Sequence, residues 1–190
     1  MKSVCVYLGA YLGNSANFPK IVATLGKELA GRGSRLIYGG SSLGLMGVLA
    51  QSVIQNGGEA IGIIPRCLLK KEKPPTNLTQ LIITKTIQER KLLMQQHADA
   101  FLVMPGGLGT LEEAIETWNA IKIGIIDKPI GFLNLDGYYD GLFAFIENCQ
   151  KKGFISPNQR KIALVHSDLD ILLDAFLKSR SDEDCLSSFS

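Results

Sequence analysis

Short runs of consecutive apolar residues alternate along this chain with longer stretches in which apolar residues recur every third or fourth position. These are the signatures of buried strands and of helices packed against them. Val4-Cys5-Val6-Tyr7-Leu8 opens the series, Ile21, Leu25 and Leu29 mark a helix, and Arg35-Leu36-Ile37-Tyr38 reads as the next strand. A helix from about Met46 to Asn56 stops at Gly57-Gly58, and Ala60-Ile61-Gly62-Ile63-Ile64 follows as a buried strand halted by Pro65; glycine past a helix end and proline past a strand are both stop signals. Leu81-Ile82-Ile83, a helix from near Gln88 to His97, Phe101-Leu102-Val103 and a helix after Thr110 form the middle of the chain. Pro129-Ile130-Gly131-Phe132-Leu133, a helix from about Tyr139 to Lys151, Ile162-Ala163-Leu164-Val165 and an amphipathic helix around Asp168 to Leu177 complete it.

Repeated strand–helix–strand units with wholly apolar strands imply a mainly parallel sheet with helices on both faces, because crossovers between parallel strands are right-handed. The predicted fold is therefore α/β, a Rossmann-like doubly wound sheet. Ligands bind such sheets beyond the carboxyl ends of the strands, which singles out the loops after Leu8, Tyr38, Ile64 and Met104. A chain of 190 residues suits one such domain, expected to span residues 1–178. Residues 179–190, rich in serine and acid with little to bury, read as a mobile tail. The charged, proline-containing stretch from Lys70 to Thr79 reads as an exposed loop and a candidate lid.

Composition narrows the partners. A formal charge of +2 without a lysine/arginine block points away from nucleic acid and acidic membranes and toward a small molecule. Cys5, Cys67, Cys149 and Cys185 are scattered without C-x-x-C spacing, as expected of reduced thiols in a cytoplasmic protein rather than a disulfide framework or a zinc site. His97 and His166 have no cysteine or acid partners at metal-ligand spacing, so no metal and no cofactor is expected. His97 reads as a cation at a helix carboxyl end, His166 as structural, and Trp118 as packing.

Two glycine-rich loops carry the chemistry. Pro105-Gly106-Gly107-Leu108-Gly109-Thr110-Leu111-Glu112-Glu113 follows a strand and opens a helix, an arrangement that aims unpaired backbone N–H groups at an anion, phosphate above all. The alternative is a tight turn with Thr110 as a helix cap. Neither the dinucleotide fingerprint nor G-x-x-x-x-G-K-[ST] is present. Gly39-Gly40-Ser41-Ser42-Leu43-Gly44 contains G-x-S-x-G around Ser42, with Asp136 and His166 later in the order of a serine hydrolase. The competing reading is a second loop that offers backbone N–H groups and Ser42 to a polar ligand. Arg90 and Lys91 open the helix near Gln88; Arg90 could be a forked donor to phosphate or sugar, or part of a solvated turn.

Taken together, Gly39-Gly40 with Gly44-Leu45-Met46-Gly47, Ile64-Pro65, Glu89-Arg90-Lys91, the Pro105–Glu113 segment and Asn134-Leu135-Asp136-Gly137-Tyr138-Tyr139 closely resemble the Lonely Guy family. Its members are cytokinin riboside 5′-monophosphate phosphoribohydrolases, often mislabelled as lysine decarboxylases. The resemblance implies a homodimer that cleaves purine riboside 5′-monophosphates to free base and ribose 5-phosphate. It implies Arg90 and Glu113 as the catalytic pair and Gly106, Gly107, Leu108, Gly109 and Thr110 around the 5′-phosphate. Lys91, Glu72, Glu112, Gly40, Ser42, Met46 and Asn119 would contact or flank the nucleotide. Ala10-Tyr11 and Asn119-Ala120 depart from the family's usual residues at the pocket edge. A non-catalytic carrier related to molybdenum-cofactor carriers is the alternative to an enzyme.

Overall fold

The structure is a computed structural model and describes residues 2–176; the expected tail at 179–190 lies outside them. Seven strands form one sheet: β1 (Ser3–Tyr7), β2 (Arg35–Tyr38), β3 (Ala60–Pro65), β4 (Gln80–Thr84), β5 (Ala100–Val103), β6 (Ile130–Leu133) and β7 (Ala163–His166). All pairings are parallel, in the order β4-β3-β2-β1-β5-β6-β7. The chain winds outward from β1 to β4, then crosses back to lay β5 on the other side of β1. The loops after β1 and β5 therefore diverge from adjacent strands, which opens the crevice of a doubly wound sheet.

Helices α1 (Asn17–Gly31), α2 (Gly44–Gln55), α3 (Leu69–Glu72), α4 (Ile87–His97), α5 (Leu108–Lys122), α6 (Asp140–Lys151), α7 (Pro157–Lys161) and α8, residues 169–176, connect or follow the strands. Alternate side chains of the central strands feed two cores. Val4, Val6 and Leu36 join Leu25 and Leu29 of α1, Leu49 of α2 and Leu172 of α8. Cys5, Tyr7 and Ile37 join Met94 of α4, Trp118 of α5 and Phe143 of α6. Central strands are thus buried on both faces, the physical reason for their unbroken apolar runs. Arg32 ties α1 to α8 through Asp174 at 2.6 Å and Asp170 at 3.2 Å.

The element boundaries differ from the sequence-based expectation mainly at helix starts. α2 begins at Gly44 and α5 at Leu108, each earlier than expected, because glycines that read as turn already belong to the first helical turn. Thr110 does not cap α5: Gly107 is the N-cap, and Thr110 lies inside the helix, 3 % exposed. The Lys70–Thr79 stretch is not wholly a loop, since α3 runs to Glu72 and Lys73 ends it in a left-handed conformation, φ 37°. Trp118 packs on Phe132 and Phe143 and donates from Nε1 to the Gln159 carbonyl at 3.1 Å.

Candidate active site

A cavity of about 560 Å³ opens at the crevice between the loops that follow β1 and β5. Backbone bonds fix its floor: Gly9 N donates to the Pro105 carbonyl at 3.2 Å, and Leu45 N, at the start of α2, donates to the Gly9 carbonyl at 3.1 Å. The first two helices of the site are thereby referenced to β1. Gly39, Met46, Glu72, Arg90, Glu113 and Tyr138 stand around the cavity, together with residues 105–110 and the loop from Gly9 to Asn14.

The amino end of α5 supplies one wall. The bond from Leu111 N to the Gly107 carbonyl, 3.0 Å, is the first of the helix, so the amides of Leu108, Gly109 and Thr110 have no intrahelical carbonyl one turn back to donate to. Together with the helix dipole they favour an anion. The three glycines are there for different reasons. A Cβ on Gly106 would overlap Thr110 Oγ1, whereas one on Gly107 or Gly109 would meet no protein atom within 4 Å. Gly106 is thus demanded by packing, whereas Gly107 and Gly109 border open space and line the cavity.

Arg90 and Glu113 meet beside this loop, Nη2 to Oε1 at 3.0 Å, with side chains only 11 % and 13 % exposed. Arg90 is held by the first turn of α4, where the Thr86 side chain accepts from Glu89 N at 3.0 Å and the Glu89 carboxylate accepts from Lys85 N at 2.7 Å. These two bonds cap the helix and fix the direction of its first turn. Burial pushes the Glu113 carboxyl up to about 7; the Arg90 guanidinium opposes the rise and neighbouring Glu112 adds to it. Desolvation wins over the ion pair because burial strips most of the water from the carboxylate, while Arg90 and, more weakly, Lys91 compensate only in part. Two buried polar atoms of the lining residues, Arg90 Nε and Glu72 Oε2, have no hydrogen-bond partner among the described residues. Buried polar groups are rarely left so, and both belong to side chains that line the same cavity.

The family-implied residues do not all converge. Arg90, Lys91, Glu72, Met46, Glu112, Glu113 and residues 106–110 line the cavity, with Leu108 on the rim at 87 % exposed. Lys91, however, is committed: its ammonium donates to Glu112 Oε1 at 2.8 Å and to Glu116 Oε2, and these carboxylates hold its pKa above the ordinary lysine value. It fastens α4 to α5 as much as it faces the cavity. Gly40 lies behind the wall, left-handed with φ 78°, against Ile63 and Gly62. Ser42 is also outside the lining; its N–H and Oγ donate to the Glu72 carbonyl at 3.2 and 3.4 Å, beside Ser41 Oγ at 3.2 Å. The second glycine loop therefore holds α3, and through it Glu72. Asn119 borders a separate hollow with Trp118 and Phe154 near the far end of α5.

A hydrolase triad on Ser42 is ruled out by the topology. β2, which precedes Ser42, and β7, which ends in His166, are four positions apart in the sheet, about 19 Å at the usual strand spacing. His166 Nδ1 instead accepts from Asp168 N at 2.9 Å. Among the described residues no group of three or more His, Cys, Asp or Glu could hold a metal ion, and no helix is long and apolar enough to cross a membrane. Cavity residues missed by sequence reasoning include Asn14, Phe18, Leu68 and Tyr138. Tyr138 stood inside a family segment, but nothing local announces where its side chain reaches.

Comparisons with known proteins agree with this picture. A family profile described as possible lysine decarboxylase matches residues 46–176. The probable cytokinin riboside 5′-monophosphate phosphoribohydrolase LOG6 of Arabidopsis thaliana is 43 % identical over 161 residues, 85 % of this chain and 80 % of that protein. The probable enzyme LOGL3 of Oryza sativa subsp. japonica is 39 % identical over 173 residues, 91 % of this chain and 82 % of that protein. Among solved structures, the molybdenum cofactor carrier protein of Chlamydomonas reinhardtii superposes with a TM-score of 0.70 at 19 % identity, covering 95 % of this chain and 98 % of that one. The molybdenum cofactor binding protein of Rippkaea orientalis gives 0.68 at 22 %, covering 94 % and 97 %. At such identities these two likenesses establish the shared Rossmann-like fold. With the profile covering most of the sequence and relatives near 40 % identity over most of their length, the chain belongs to the Lonely Guy family, the possible lysine decarboxylase family by its profile.

Proposed function

We propose that the protein is a nucleoside 5′-monophosphate phosphoribohydrolase, which hydrolyses the N-glycosidic bond of purine riboside 5′-monophosphates, cytokinin-type or AMP-like, to free base and ribose 5-phosphate. The observation that carries this reading is the buried Arg90–Glu113 pair, 3.0 Å apart, beside an anion-binding helix end. Relatives named as phosphoribohydrolases support it.

The 5′-phosphate sits on the free amides of α5, and the ribose reaches toward Glu113. As the bond from C1′ to the base nitrogen breaks, its electron pair leaves with the base and positive charge builds on the ribose ring. The ionised Glu113 carboxylate stabilises that charge and takes a proton from the water whose oxygen bonds C1′. A proton is delivered to the departing base, so water is split between the two products. Arg90 is too basic to give up a proton; it orients the carboxylate and the nucleotide and offsets negative charge on the leaving group. A carboxyl near 7 is well matched to proton transfer at neutral pH.

Incubation of purified protein with AMP and with isopentenyladenosine monophosphate should release free base and ribose 5-phosphate in equal amounts. Intact nucleotide after prolonged incubation at high enzyme concentration would refute the proposal. A carrier would need the phosphate cradle but gains nothing from a buried carboxylate at its side, which is why the enzymatic reading is preferred.

The same reading includes a homodimer in the cytoplasm. Leu92 on α4 and Ile115 on α5 are exposed apolar residues, and Cys5, Cys67 and Cys149 are free thiols, in keeping with that state and compartment. Light scattering that finds only monomer at micromolar concentration would remove the dimer from the proposal.

A further inference from the structure

β6 ends in a turn that reaches back over the glycine loop. Asp136 and Gly137 both adopt left-handed conformations, φ 51° and 73°, and the turn is pinned by Asn134. Its Oδ1 accepts from Tyr139 N at 2.7 Å, and its Nδ2 donates to Asp140 Oδ1 at 2.7 Å. The turn delivers two consecutive tyrosines to two carbonyls of the loop after β5. Tyr139 Oη donates to the Met104 carbonyl at 2.7 Å, and Tyr138 Oη donates to the Gly106 carbonyl at 2.8 Å.

The two bonds differ in setting. Tyr139 is buried and belongs to the core, whereas Tyr138 is 44 % exposed and lines the cavity. The Tyr138 ring is held edge-on between Phe18, at 5.8 Å, and Tyr139, at 4.9 Å, so the hydroxyl arrives with little freedom left to lose. Its acceptor is the peptide that joins Gly106 to Gly107. In a trans peptide the carbonyl and the following N–H share a plane and point in opposite directions, so fixing the Gly106 oxygen fixes the Gly107 amide. Between two glycines that plane is otherwise unusually free to rotate, and a rotated plane would turn an oxygen toward an anion instead of a hydrogen. A hydrogen bond to the carbonyl also polarises the peptide and strengthens its N–H as a donor.

We propose that Tyr138 is a positioning residue for the phosphate: its hydroxyl locks the Gly106–Gly107 peptide so that the Gly107 amide stays turned to the 5′-phosphate of the nucleotide. This inference rests on the phosphoribohydrolase reading of the site. It goes beyond that reading by assigning phosphate affinity to a side chain outside the glycine loop.

The test is Tyr138→Phe, which keeps the ring and its contacts and removes the hydroxyl. Ribose 5-phosphate binding, measured by calorimetry, should weaken about 10-fold, the worth of one hydrogen bond to a charged group. KM for AMP should rise by a similar factor with kcat nearly unchanged, the pattern of lost uniform binding. Adenosine, which carries the base and ribose without the phosphate, should bind the wild-type protein and the variant equally. Wild-type affinity for ribose 5-phosphate in the variant would overturn the proposal while leaving the enzymatic reading intact. Equal weakening toward adenosine and ribose 5-phosphate, or a variant that no longer folds, would show the bond to be structural and overturn it too. If the wild-type protein neither cleaves AMP nor binds ribose 5-phosphate, the enzymatic reading itself fails and takes this inference with it.

Discussion

The guanidinium of Arg90 occupies the space that a side chain at residue 39 would fill: a Cβ built on Gly39 would overlap Arg90 Nη2. That nitrogen is the one paired with Glu113 at 3.0 Å, so a glycine in the loop after β2 sets the position of a group on α4. Gly39→Ala should therefore displace Arg90 and lower kcat/KM by about 10-fold or more, as small misplacements at an active site do. Wild-type activity in the folded variant would show that Arg90 tolerates a shifted position.

Direct removal should be more severe. Arg90→Ala and Glu113→Gln are each expected to lower turnover by about 100-fold or more with the fold retained, the usual scale for positioned acid–base and electrostatic groups. Because the two side chains act as a pair, the double variant should be little worse than either single one. Fully multiplicative losses in single-turnover assays would contradict a shared role.

Ionisation of Glu113 gives a pH dependence of defined sign. Its carboxyl stands at about 7 in the folded protein against 4.5 for the free group, so kcat/KM should rise as pH increases through about 7 if the carboxylate is the active form. Stability should run the other way. Between 4.5 and 7 the folded state holds a proton that the unfolded state has released, so the wild-type protein loses stability as pH rises through that window. Glu113→Gln should flatten this slope in denaturant titrations. Because the second ionisation of a phosphate lies near 6, the stability arm identifies the group where the activity arm alone does not.

The three glycines after β5 should separate packing from binding. Gly106→Ala, whose Cβ would overlap Thr110 Oγ1, should lower Tm and activity together. Gly109→Ala, whose Cβ meets no protein atom within 4 Å, should keep its Tm and lose affinity for ribose 5-phosphate. Unchanged affinity in Gly109→Ala would mean that the phosphate does not use this part of the loop.

How much could be read from the sequence depended on whether the deciding interaction was local. Val4–Leu8 and Phe101–Val103 are legible as strands because both faces are covered. β4 is half exposed, yet Leu81-Ile82-Ile83 still announces it. α3 was hidden because Lys70-Lys71-Glu72 has no apolar period; what holds it is a carbonyl bonded by Ser41 and Ser42, some 30 residues earlier. Gly107 and Gly109 could be read as a cradle from the strand-to-helix change alone. The pairing of Arg90 with Glu113 could not, since 23 residues separate them in sequence and only the family pattern joined them. Tyr138 and Phe18 are neighbours only through the sheet order, which no spacing reveals. Ser42 misled in the opposite direction: its five-residue motif is local, but its hydroxyl serves the Glu72 backbone.

The placement of β1 at the centre of the sheet also has a cost in time. Ser3 N donates to Asp99 Oδ2 across a separation of 96 residues, and β1 meets β5 along the same edge. A nascent chain that grows at about 5–20 residues per second must carry β1 with that edge unpaired for roughly 5–20 s before its partner is made. Until then neither the floor of the cavity nor its α5 wall can exist, and β1 is an open template for other chains.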